Sequence, residues 1–170
     1  MKFLKNIALV ITILVIISCK KDDGLTKETQ SGANTFSCKI NGKVFLPKEE
    51  LFSGRTLYAN IKTINGIKIL IVGASNATNK LDVSLKIENF TGVGTYQLST
   101  SQSIFADYEI RNPVPNEIKY TTRNSDIGKI NITRSDNNIV SGTFEFTCIN
   151  EKDNADRVVF TKGRFDLVVD

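Results

Sequence analysis

The chain has 170 residues, the length of one ordinary domain with some chain to spare. It contains no His, no Trp and 3 Cys, and its 22 basic and 18 acidic side chains leave a formal net charge of +4. The lack of His excludes Ser-His-Asp and Cys-His nucleophilic centres and every His-liganded zinc site, and no basic cluster interleaved with aromatic rings points to nucleic acid.

The amino terminus is an address rather than a fold. Lys2 and Lys5 precede an apolar run over residues 7–17, interrupted only by Thr12. Such a run falls short of the roughly 20 residues that span a bilayer but suits the core of a secretory signal. A transmembrane anchor or buried helix fits less well, because strongly polar residues follow at once. Ile16-Ile17-Ser18-Cys19 resembles the bacterial lipobox: an aliphatic pair, a small residue, then Cys. The resemblance implies loss of residues 1–18 and a lipid on Cys19 that makes the membrane a partner. Two or three acyl chains anchor stably where one does so only marginally. Without Lys2 and Lys5, the 22 basic residues become 20 against 18 acidic, so the apparent basicity is mostly the signal's.

Lys20-Lys21-Asp22-Asp23 reads plainly as a charged linker. Lys21, Asp22 and Asp23 also resemble the export signal that sends Bacteroidetes lipoproteins to the outer face of the outer membrane, although Lys20 and Gly24 stand where Gln and a further acid are usual. That resemblance implies an outer-membrane protein exposed at the cell surface. Residues 19–34 are expected to be a flexible tether, since residues 24–34 are polar and bury too little to offset chain entropy.

From Thr35 the pattern turns to period two. Phe36, Cys38 and Ile40 alternate with Ser37 and Lys39, and Asn41-Gly42 then leads into residues 43–46. A second Asn-Gly, at 65–66, joins residues 57–64 to 67–72. Both dipeptides accept positive φ at two successive positions and predict tight type I′ hairpins. Residues 47–55 are expected to loop, with room for a short helical turn over 47–52 and with Leu51 and Phe52 against the core. Over residues 80–90, Leu81, Val83, Leu85 and Ile87 alternate with Asp82, Ser84, Lys86 and Glu88, as one buried sheet face requires. Residues 95–98, 104–110, 117–122, 128–134, 139–149 and 158–169 read as further strands, with a turn at 135–138. Pro113 and Pro115 lack amide hydrogens and exclude residues 112–116 from a ladder interior. The fold expected over 35–170 is all-β, a single antiparallel sandwich or barrel of about nine or ten strands.

Residues 34–43 with the stretches 142–146 and 163–166 are similar to an uncharacterised family of Bacteroidetes lipoproteins known only as a domain of unknown function. The resemblance implies a fold of this kind and no catalytic residue. With Cys19 lipidated, Cys38 and Cys148 are an even pair in an exported chain, both on inward faces. A disulfide between them would close a loop of 109 residues, worth about 4–5 kcal/mol. The other reading is two buried thiols.

Asp107, Glu109, Glu117 and Glu145 offer carboxylate pairs of a glycosidase kind, but outward strand charges give the same pattern. Asp153-Asn154-Ala155-Asp156 and Asp136-Asn137-Asn138 have calcium-like oxygens without the loop of an EF-hand, and turns use the same residues. No enzyme activity, metal or cofactor is expected. A binding or envelope-structural role is, with an unidentified protein or glycan as partner. The competing roles are a carbohydrate-binding accessory, for which Tyr58, Tyr96, Tyr108 and Tyr120 would have to share a face, and an inhibitor or immunity-type protein contacting its target through residues 99–103 or 112–116.

Overall fold

The computed structural model describes residues 22–49, 55–98, 103–111, 116–122 and 128–170. The alternating segments form β1 (Thr35–Ile40), β2 (Lys43–Phe45), β3 (Leu57–Ile64), β4 (Ile67–Asn76), β5 (Leu81–Glu88), β6 (Gly94–Gln97), β7 (Ile104–Ile110), β8 (Ile118–Thr121), β9 (Gly128–Asp136), β10 (Ile139–Asn150) and β11 (Arg157–Val168). No helix occurs among the described residues. All 11 strands belong to one sheet, in the order β2-β1-β11-β10-β8-β7-β5-β4-β3, with β9 on β10 and β6 on β9. The count is above the nine or ten expected, and β2 and β6 are the short members, at 3 and 4 residues.

The branch arises from the length of β10. Its first part pairs with β9, from Ile139↔Asp136 to Phe146↔Gly128, and its end pairs with β8 at Ile149↔Thr121. The sheet curls without closing. Its β3 edge approaches the segment that follows β11, where the Asp170 amide donates to the Ala59 carbonyl of β3, at 3.0 Å. The result is an open, sandwich-like all-β domain.

Local chemistry sets the turns. Asn41-Gly42 and Asn65-Gly66 take positive φ at both positions, as expected, and Asn137-Asn138 does the same at φ 47° and 58°, which lets β9 run on to Asp136. The inward residues build one core. Val83, Leu85 and Ile87 of β5 are buried in it, as are Phe36, Phe144, Phe146, Phe160 and Phe165. Phe146 and Phe160 stack with ring centroids 4.4 Å apart. Where β11 bulges, Gly163 lies under Phe144, and a Cβ there would stand 2.3 Å from that ring. Residues 47–49 are extended, with Lys48 bridging to Asn76. Leu51 and Phe52 lie outside the described residues.

The flexible tether is corrected over residues 22–34. This stretch forms a strap hydrogen-bonded across the outer face of β1 and β11. Asp166, 1% exposed, accepts from Thr29 Oγ1 (2.7 Å), Ser31 N (2.9 Å), Gly32 N (2.8 Å) and Ala33 N (3.1 Å), and from Ser141 Oγ on β10 (2.7 Å). Thr26 N donates to Ser37 Oγ at 3.1 Å, and Arg164 Nη1 donates to the Thr26 carbonyl at 3.0 Å. The polar groups that suggest mobility are the ones that fasten the strap. A buried carboxylate needs donors, and the strap supplies them.

Candidate functional site

The bulge in β11 also shapes the outer surface. A β-bulge sets two successive residues against one partner and re-aims their side chains. Thr161 and Lys162 are both exposed, and Lys162 takes φ 53°. Beside them, period two turns Lys129 and Asn131 of β9, Thr143 and Glu145 of β10 and Arg164 of β11 outward. Lys129 stands opposite Glu145, Asn131 opposite Thr143, and Thr143 opposite Arg164. The strap adds Asp23 and Glu28. Together these residues line an open groove of about 420 Å³ whose floor includes Phe144 and Gly163.

The groove is charge-balanced. Lys129 meets Glu145 at 3.0 Å, Lys162 meets Asp23 at 3.4 Å, and Arg164 reaches Asp23 at 3.6 Å and Glu28 at 3.8 Å. The Leu25 amide, seconded by Lys162 and Arg164, holds the Asp23 carboxyl below its ordinary range against a smaller opposing effect of desolvation. Deeper in, burial alone would raise Asp166, but hydrogen bonds from Thr29, Ser141, Ala33 and Ser31 hold it well below the usual carboxylate range. This chemistry can exchange ion-pair partners with a charged ligand.

Of the lipidation and export residues, Cys19 and Lys21 lie outside the described residues. Asp22 and Asp23 are on the domain already, Asp22 accepting from the Gly24 amide at 2.9 Å. The expected disulfide is not formed, and Cys38 and Cys148 are free, buried thiols. They point inward but stand on strands separated by β11. Cys148 faces Val158 there, while the neighbours of Cys38 face Arg164 and Thr161. Two strand spacings amount to about 10 Å, beyond the roughly 7 Å between Cα atoms that a disulfide tolerates. Burial pushes the Cys38 thiol up to about 12 and the Cys148 thiol well above its ordinary value, the latter with help from Asp107. Cys148 Sγ donates weakly to the Ala106 carbonyl at 3.7 Å.

The tyrosines do not form a platform. Tyr108 and Tyr120 are buried, with ring centroids 5.6 Å apart. Tyr96 donates to the Gly92 carbonyl, and Tyr58 covers Gly73 on the outer face. Of the four carboxylates, two share one lysine. Glu109 and Glu117 reach Lys119 at 3.8 and 3.5 Å, Glu145 is in the groove, and Asp107 stands opposite Thr121. In the 153–156 turn, Asp156 accepts from Tyr120 Oη at 2.8 Å and Asn150 Nδ2 at 2.9 Å, and Asp153 from the Ala155 amide. Asp136 pairs with Arg134 at 2.6 Å. These oxygens are engaged in turn and strand contacts.

Sequence reasoning missed Asp166 and the gathering of Lys129, Glu145, Lys162 and Arg164. The available signal was the Thr29, Ser31 and Gly32 donors, which announce an acceptor but not which one.

A family model described as Domain of unknown function (DUF6252) matches residues 34–168. No curated protein and no solved structure matches the chain.

Proposed function

We propose that this chain, which belongs to the DUF6252 family, is a lipid-anchored outer-membrane protein that works at the cell surface as a binding or structural module of the envelope, not as an enzyme. The observation that carries the reading is the separation of address from fold. Among the described residues the core begins at Phe36, well after the apolar run of residues 7–17 and Cys19 that would serve the membrane. The strap supports it, because residues 22–34 pass a pull on the anchor directly to β11 through Asp166 and Arg164.

The groove on β9, β10 and β11 is the binding surface in this reading. Its three cations and three carboxylates suit a protein or peptide segment bearing both signs of charge. A glycan is the weaker reading, because sugar rings stack on exposed aromatic faces and the Phe144 ring in the floor is buried. The inhibitor or immunity-type alternative would place its contacts on residues 99–103 or 112–116 instead.

Mass spectrometry of the protein taken from its native membrane should find a chain that begins at Cys19 and carries acyl mass. A Cys19→Ser variant should lose that mass. A mature chain still carrying residues 1–18 would overturn the anchor. Protease shaving of intact cells, beside a variant with Lys21→Ala, Asp22→Ala and Asp23→Ala, tests the surface. The wild type should be cut and the variant protected, whereas protection of both would move the protein inside.

A further inference from the structure

We propose that the flank formed by the β1–β2 hairpin and the first half of β11 is the face this domain turns to the anionic headgroups of the bilayer that holds it. The inference rests on the lipid anchor at Cys19 and adds an orientation to it. Three observations meet on this flank.

The first is where the strap ends. It runs antiparallel to β1, from Asn34 back to Asp22. At its near end Gly24 lies against Val44, where a Cβ would stand 3.2 Å from Cγ2, and Asp23 pairs with Lys162. Only Lys20 and Lys21 separate Cys19 from Asp22, so the chain takes three steps, each at most about 3.5 Å when extended. The lipid thus lies within roughly 10 Å of this flank, about one Debye length at physiological salt.

The second is charge. The stretches 35–48 and 157–165 carry Lys39, Lys43, Lys48, Arg157, Lys162 and Arg164 and no carboxylate. They lie side by side, with Lys39 opposite Thr161 on β11 and opposite Val44 on β2. Lys162 and Arg164 are paired with the strap. Lys39, Lys43 and Arg157 make no ion pair among the described residues and remain for an outside anion.

The third is apolar exposure between these cations. Val44 and Val159 are each 44% exposed and Leu46 is 42% exposed, side chains that alternation would normally leave polar. Cations around exposed aliphatic groups match the headgroup layer, where phosphates sit above acyl chains. Asn41 braces the patch, accepting from the Val159 amide and donating its own to the Val159 carbonyl, both at 2.9 Å.

The chain has no Trp, so a single Trp reports position without background. Lipidated Val44→Trp protein, purified from its membrane, would be placed on phosphatidylcholine vesicles with brominated chains, with and without phosphatidylglycerol. An Ile64→Trp protein serves as the far-end control, because Ile64 is exposed beside the Asn65-Gly66 turn at the other end of the strands. The expected result is loss of Val44→Trp emission only when phosphatidylglycerol is present, with recovery in molar salt or on adding Lys39→Gln, Lys43→Gln and Arg157→Gln, while Ile64→Trp stays bright throughout. Protein that floats with the vesicles but keeps full Val44→Trp emission, or is quenched at Ile64→Trp instead, overturns the orientation and leaves the anchor standing. Protein that fails to float at all overturns both.

Discussion

The sheet's two flanks are built on different rules. Across β3, β4, β5 and β7 the ladder is unbroken, from Leu57↔Ala74 through Asn76↔Leu81 to Leu81↔Ile110. Across β1, β11, β10 and β9 it slips three times, between Ser37 and Lys39, between Phe144 and Phe146, and between Ser141 and Gly142. The regular flank is held by apolar alternation. The irregular flank adds buried polar groups, Ser37, Ser141 and Asp166, which hold the strap. Bulges aim consecutive side chains outward and make a groove, and the backbone and carboxyl groups they disturb must find partners. The surface features of this protein are therefore on the flank where the ladder is least regular.

The largest effect should come from the core that both flanks share. Phe160→Ala removes a ring that stacks on Phe146 and meets Tyr108 at 5.4 Å, and should cost about 3–5 kcal/mol in denaturant unfolding. A loss below about 1 kcal/mol would mean that the core relaxes around the site. Asp166→Asn comes next, at about 2–3 kcal/mol. It places amide hydrogens against donors and should separate the flanks, with faster hydrogen exchange at Ser31, Gly32 and Ala33 and unchanged protection in β4 and β5.

Acid should trace the same boundary. The folded-state pKa of Asp166 is depressed, so the native state holds fewer protons than the unfolded chain near the ordinary carboxylate pKa. The stability it contributes is full above about pH 4 and is lost as pH falls from there through the lower folded value. Asp23 and Asp156 shift in the same direction, so the strap amides at 31–33 are the readout to follow. They should open in acid before β5 does, and simultaneous opening would count against a separately fastened strap.

The thiols test the register. Cys38 and Cys148 should resist alkylation until denaturant is added, and intact mass should not change with reductant. A mass gain on reduction would restore the disulfide and contradict the pairing of β1 and β10 on opposite sides of β11. Smallest of all, Lys129→Ala removes an exposed pair with Glu145 and should move stability by no more than about 0.5 kcal/mol.

The regular flank was nearly legible residue by residue. Val83, Leu85 and Ile87 announced their face, and Asn65-Gly66 its turn, because alternation and positive φ are decided by side chains within a few positions of one another. The groove was legible only in pieces. Lys129, Glu145 and Arg164 read as solvated strand charges, and nothing near them in the chain says that β9, β10 and β11 are neighbours.

The amino-acid sequence alone thus determined the strand class, the hairpin turns, the inward face of each strand and the polar strap composition, all of them local properties. Tertiary structure decided that Thr29 and Ser31 find Asp166, and that Cys38 and Cys148, both facing inward, never meet. Strand order fixes these outcomes. By inserting β11 between β1 and β10, it brings one carboxylate under the strap and keeps a full strand between the two thiols.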